Sequence, residues 1–151
     1  MGATDNMTIA GFRFHHIGLA CRDLEKEARA LAMVGYELEG EEFVDPLQKI
    51  HGCFLVGPGP RMELLAPADD SSPVVSWLNK DVKMYHQAYE VESIDQAVAT
   101  LSAQHAVVVS RAKPAVAFHG RKIAFLMMPN RLLLELIDAG CGAAGDAPEG
   151  R

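Results

Sequence analysis

The sequence lacks any apolar run approaching the roughly 20 residues of a membrane-spanning helix. Its opening, MGATDNMTIAG, has neither the basic region nor the apolar core of a secretory signal. No membrane partner is expected, and a cytoplasmic protein is. Cysteine is scarce: Cys21, Cys53 and Cys141 are three in number and show no CxxC spacing, which excludes a disulfide framework and a zinc knuckle and leaves buried or free thiols. Positive charge is short as well. The 14 Lys and Arg stand against 20 Asp and Glu, a net charge of -6, whereas binding a nucleic-acid backbone relies on basic residues that neutralise phosphates. No nucleic-acid partner is expected, and an anionic substrate would need local basic residues. What is present is an ordinary globular balance, 49% hydrophobic and 23% charged. The 151 residues suffice for one domain with a real core, although each half of about 65 would be marginal alone.

The dominant internal feature is a repeat. FHHIGLACRDLEKEARAL, residues 14–31, returns without gaps as MYHQAYEVESIDQAVATL, residues 84–101. A histidine in a strand, a small polar helix start and an apolar helix face recur in step. Each half also ends alike, with Glu63 in MELLAP and Glu135 in LELIDA. A repeat of this length fixes the architecture before any local propensity does.

Taken in order, FRFHHIGLA reads as a strand with Phe14, His16, Gly18 and Ala20 on one face and His15 on the other. RDLEKEARALAMV reads as a helix capped by Asp23 and stopped by Gly35. One short and two longer strands follow, punctuated by Gly40, Asp45-Pro46 and the turn GPGP. A linker helix over about 72–80 joins the halves, with Ser72 as cap and Pro73 in its first position. The second half repeats the order: strand MYHQAYEV, a helix from about Ile94 to Gln104 capped by Ser93, a short strand near AVVV, and strands RKIAFLMM and RLLLELID. The expected class is α+β: two paired βαβββ modules, about 12–67 and 83–139, forming a curved-sheet cup within a single domain, 1–139. The Gly- and Ala-rich residues 140–151 read as a flexible tail.

The period of two places Glu63 with Leu65, and Leu133 and Ile137 with Glu135, on one face each. A carboxylate inside LLLELI is expected to be buried and therefore partnered. Either histidine alone reads as a core or surface residue. Two histidines and two glutamates at matched places of a repeat make His16, Glu63, His86 and Glu135 a candidate metal set instead. Two imidazoles and two carboxylates suit a divalent Co, Ni, Mn or Zn ion and leave positions open for paired substrate oxygens. Such an ion polarises a carbonyl and acidifies the neighbouring carbon-bound proton.

At this point the chain resembles the vicinal oxygen chelate (glyoxalase/bleomycin resistance) superfamily, and within it methylmalonyl-CoA epimerases. The resemblance is carried by HHIG at 15–18, Gln48 in DPLQKI, MELLAP, SSPVVSWLNK, YHQAYEV, IAFL and LLLELI. It implies a divalent metal on the four residues named. It also implies proton transfer, through a metal-stabilised enolate, at the carbon next to a carbonyl of a malonyl-type acyl thioester, with Glu135 as ligand and proton-transfer acid. A homodimer is implied too. Gln48 lines the cup or ends a strand beside Pro46. AFHGRK offers Arg121, Lys122 or a backbone amide to an anionic group, or is a solvated loop. Some of these epimerases carry a glutamate, the second acid, four residues after the equivalent of Gln48; here that position is Gly52. MMPNRLLLEL replaces a longer basic loop.

Two other functions compete. One is a lyase of the glyoxalase I kind acting on a glutathione hemithioacetal, which would use a similar ligand set. The other is a metal-free small-molecule binding or resistance protein, which would rely on an aromatic-lined cleft; aromatics are 7% of the chain.

Overall fold

A computed structural model describes residues 11–139. The expected tail lies outside these residues. The element order is β1 (Arg13–Ala20), α1 (Leu24–Ala32), β2 (Glu37–Asp45), β3 (Ile50–Val56), β4 (Met62–Pro67), α2 (Val74–Asn79), β5 (Met84–Val91), α3 (Ile94–Ala103), β6 (Val107–Pro114), a 3-10 turn (Val116–Phe118), β7 (Lys122–Met127) and β8 (Leu133–Asp138). Two βαβββ modules joined by α2 are present, as the repeat requires.

All eight strands form one sheet, in the order β2-β3-β4-β1-β5-β8-β7-β6. Within each module the first and last strands are parallel, β1 with β4 and β5 with β8. The modules meet along an antiparallel β1–β5 seam that pairs His16 with Ala88 and Gly18 with His86. The first strands of both halves, and hence both histidines, therefore sit side by side at the centre.

Strand alternation sorts the side chains. On β8, Leu134 and Leu136 pack with Ile94, Ala97 and Leu101 of α3, whereas Leu133 and Ile137 turn to the other face with Ile123, Phe125 and Tyr85. On β4, Leu64 goes under α1 with Leu24 and Leu65 goes to the opposite face with Ile50 and Ala88. One face of the sheet is thus sealed by helices. The other carries an apolar cup with Glu63 and Glu135 among the buried residues.

Several local expectations are corrected. The first strand after α1 is not short: β2 runs nine residues, because Gly40, at φ +71°, lies within a register shift between Glu39 and Phe43 and does not end the strand. The linker helix starts at Val74, with Pro73 as its cap residue and the Ser72 hydroxyl accepting from the Val74 amide. The strand near AVVV is not short either: β6 runs eight residues at the edge of the sheet, with Val107 and Val109 exposed. Asp23 and Ser93 cap α1 and α3 as read from the sequence, accepting from the amides of Lys26 and Gln96. No helix among the described residues is long and apolar enough to cross a membrane.

Candidate metal centre

His16, Glu63, His86 and Glu135 converge at the seam, each offering one ligand atom within 4.8 Å of the others, and all four are buried. His16 Nε2 lies 2.9 Å from His86 Nε2, 3.1 Å from Glu63 Oε1 and 3.9 Å from Glu135 Oε1. His86 Nε2 lies 3.3 Å from an oxygen of each glutamate. Glu63 and Glu135 come in on the outer partners of the two histidine strands, so each module supplies one imidazole and one carboxylate.

The electrostatics of this cluster call for a cation. Burial, followed by the charge of Glu63, raises Glu135 well above the ordinary carboxylate range. Burial also pushes Glu63 upward, but the charge of His16 and hydrogen bonds from His16 and His86 outweigh it and hold Glu63 at about 2. Burial lowers His86. Glu135 Oε1 and His86 Nδ1 are buried without a hydrogen-bond partner, a state that costs free energy unless something else satisfies it. Two imidazoles and two carboxylates with converging lone pairs fit a divalent ion, and among the described residues neither carboxylate forms a salt bridge with a Lys or Arg.

Glu63 and Glu135 of the cluster lie on the floor of a cavity of about 430 Å³. Its walls come from the β2–β3 turn, from α2 through Trp77, from β6 and from the 3-10 turn. Few as they are, the aromatics gather here. Phe54 and Phe118 flank His16 at ring distances of 5.3 and 5.9 Å, and Tyr85 and Phe125 flank His86 at 5.0 and 5.5 Å.

Gln48 lies on the cavity wall, its Nε2 buried and without a partner. Arg121 and Lys122 are not on that wall: Arg121 pairs with Glu90 at 3.4 Å and stands over the Phe118 ring at 5.8 Å, and Lys122 is an exposed residue opening β7. Gly52 is also absent from the wall. It pairs with Leu65 on the cup side of the sheet, and the Phe43 ring fills the space a side chain there would take, 2.8 Å from where its Cβ would stand. His51 pairs with Glu42 on the surface at 3.0 Å.

Sequence reasoning missed three features. Asp45, read only as turn punctuation, is buried and accepts from the amides of Leu47 at 3.0 Å and Gln48 at 3.1 Å through Oδ1, and from Val116 at 2.8 Å through Oδ2. It thereby fastens the β2–β3 turn of one module to the 3-10 turn of the other. Lys49 and Lys113 line the cavity and enter no salt bridge among the described residues. Lys49 has φ 57°, and the turn that needs this conformation faces the cup. Finally, His15 does not point away from His16. A register shift between Phe14 and His16 breaks the alternation, and the two Nδ1 atoms are 2.8 Å apart. Burial, followed by the charge of His16, pushes His15 down to about 4. The doublet HH was the available signal.

Comparison with known proteins agrees with this fold. The family model described as Glyoxalase/Bleomycin resistance protein/Dioxygenase superfamily matches residues 15–125. The ethylmalonyl-CoA/methylmalonyl-CoA epimerase of Cereibacter sphaeroides is 31% identical over 117 residues, 76% of this chain and 87% of that protein. Among solved structures, the methylmalonyl-CoA epimerase of Mycobacterium tuberculosis superposes with a TM-score of 0.71 at 25% identity, covering 89% of this chain and 92% of that one. The Streptomyces coelicolor methylmalonyl-CoA epimerase in complex with 2-nitronate-propionyl-CoA gives 0.69 at 26% identity, covering 85% and 98%.

Proposed function

Because this chain belongs to the Glyoxalase/Bleomycin resistance protein/Dioxygenase superfamily, we propose that it is a metal-dependent epimerase or isomerase. Its substrate would be a malonyl-type acyl thioester, from which it moves the proton on the carbon next to a carbonyl. The observation that carries this reading is the four-donor cluster at the floor of a cavity whose Glu135 Oε1 has no partner. His16, Glu63, His86 and Glu135 would hold a Co, Ni, Mn or Zn ion. When bound, such an ion supplies Lewis acidity to paired substrate oxygens and lowers the pKa of the carbon-bound proton between them.

The rest falls to the chain's own residues. Glu135 takes the proton from one face, serving as ligand and base in one, and inversion then requires a proton delivered to the opposite face by an acid other than Glu135. Gln48 donates its unpartnered Nε2–H to a substrate oxygen. Lys49 and Lys113, on opposite modules, provide positive charge to the anionic end of the substrate. Leu47, Trp77, Val109 and Met127 exclude water between these ends. Each module supplies half of the donors, so the two work as one unit. The reading includes a cytoplasmic homodimer, in which a second copy covers exposed apolar residues on the outer strands β2 and β6, Leu38, Val44 and Val107.

A second reading rests on one observation. Among the described residues, the only carboxylate on the cavity wall beyond the cluster is that of Asp45, and both its oxygens are engaged. A single carboxylate suits a proton shift between adjacent carbons on one face, as in a lyase acting on a glutathione hemithioacetal. The test follows the carbon-bound proton of methylmalonyl-CoA in heavy water by NMR, with added Co(II) and then with chelator. Exchange abolished by chelator supports the thioester reading. Metal-loaded protein that exchanges no proton of methylmalonyl-CoA but converts the hemithioacetal would replace it with the second.

A further inference from the structure

We propose that His15 is a positioning residue for the metal centre and that its tautomer reverses when the centre is loaded. The inference rests on the metal reading given above. His15 Nδ1 and His16 Nδ1 are 2.8 Å apart, with ring planes at 83°. Two nitrogens at that distance share one proton, because two N–H groups would collide and two lone pairs would repel. The tautomers of the two rings are therefore locked together.

With both rings neutral, two arrangements satisfy that constraint. In the first, His16 carries its proton on Nε2 and donates it to Glu63 Oε1 at 3.1 Å. His16 Nδ1 then accepts from His15 Nδ1–H, and His15 Nε2 is an acceptor facing the Arg61 guanidinium at 3.5 Å. In the second, His16 Nε2 gives its lone pair to the ion, so the proton sits on His16 Nδ1 and is donated to His15 Nδ1. His15 then carries its own proton on Nε2, toward Glu90 Oε1 at 3.9 Å. No net charge moves between the two rings; one proton on each changes nitrogen.

Loading thus selects between two partners of His15 Nε2 on the far side of the ring, Arg61 and Glu90. Both are already held: Arg61 by Glu39 at 3.0 Å, and Glu90 by Arg13 at 3.1 Å and Arg121 at 3.4 Å. The second arrangement is a carboxylate–histidine–histidine series ending on the ion, a longer form of the outer-shell support that fixes ligand orientation. His86 has no counterpart. Its repeat-related neighbour is Tyr85, and its Nδ1 is unpartnered.

The experiment uses the full chain with Zn(II). Long-range proton–nitrogen NMR of the histidine-labelled protein reads the tautomer of each ring. The expected result is a proton on His15 Nδ1 in chelator and on His15 Nε2 with zinc. The same His15 tautomer in both states would overturn the inference. In parallel, His15→Phe, which keeps a ring but no acceptor, is expected to weaken zinc binding by about 10- to 100-fold, and His15→Asn, whose Oδ1 can accept from His16, to restore most of it. Folded His15→Phe that binds zinc as wild type does would also overturn the inference while leaving the centre standing. Wild-type protein that binds no zinc would remove both.

Discussion

Gly18 lies directly across the β1–β5 seam from His86, and a Cβ at Gly18 would stand 2.3 Å from Cε1 of the buried imidazole. The absence of a side chain is what lets the ring lie flat over the strand and aim Nε2 at the cluster. Gly18→Ala is therefore expected to displace the ring, at a cost of about 1–3 kcal/mol in stability and about tenfold or more in divalent-metal affinity. Urea unfolding and zinc titration measure the two, and unchanged affinity would mean that His86 is no ligand.

The pH dependence of the metal-free protein follows from Glu135. Its folded pKa is raised above its unfolded value, so the stability it contributes is fully present below about pH 4.5 and is lost as pH rises through the folded pKa. His86 has the opposite requirement: its folded pKa is lowered, so it contributes stability above pH 6.5 and loses it as pH falls. In chelator, wild type should thus lose stability relative to Glu135→Gln as pH is raised. The comparison is made by urea midpoints at several pH values. Parallel curves would contradict the buried-carboxylate account.

Asp45 is the acceptor for three amides, two of them in the turn that carries Gln48 and Lys49. Asp45→Ala should cost about 3 kcal/mol, because the amides lose their partner inside the fold, whereas Asp45→Asn keeps one acceptor and should cost less. Neither removes a donor of the centre. Zinc affinity of the folded variants should stay within about threefold of wild type, while substrate affinity falls as Gln48 loses its placement.

The cysteines give a simple check on packing. Burial comes first among the causes that push the Cys21 thiol up to about 12 and the Cys53 thiol up to about 11, and the thiolate is the reactive form. In a Cys141→Ser background, native protein should release no colour from a thiol-exchange reagent over minutes, and unfolded protein should titrate both remaining thiols. A rapid native reaction would place one of them nearer the surface than the core cluster it shares with Leu24 and Leu64.

Much of this was legible in the sequence, and the reasons are specific. The gapless repeat carried the two-module sheet, and LLLELI carried the sorting of Leu134 and Leu136 to α3 and Glu135 to the cup, because strand alternation needs only the period of two. The four donors were legible as matched positions. The placement of His15 was not, since the shift at Phe14/His16 reverses alternation and the HH doublet by itself does not reveal a shift. Nor was the exposure of Val107 and Val109, since hydrophobicity alone does not distinguish an edge strand from a buried one. Asp45 escaped because its third partner, Val116, is 71 residues away. Lys49 escaped because its left-handed backbone is a property of the closed turn and not of lysine.

The seam between β1 and β5 has a consequence for the orientation of whatever binds. Two like modules meeting through His16 and His86, 2.9 Å apart at Nε2, approximate a twofold axis through the centre, and a truly twofold site would accept a molecule equally well with its two ends exchanged. A preferred orientation must therefore come from where the halves differ. The differences lie close by: His15 against Tyr85 beside the paired imidazoles, and a turn bearing Gln48 and Lys49 on one side against a strand bearing Lys113 on the other. Doubling a module built the cup, and the drift of its two copies apart is what could let it tell one end of a molecule from the other.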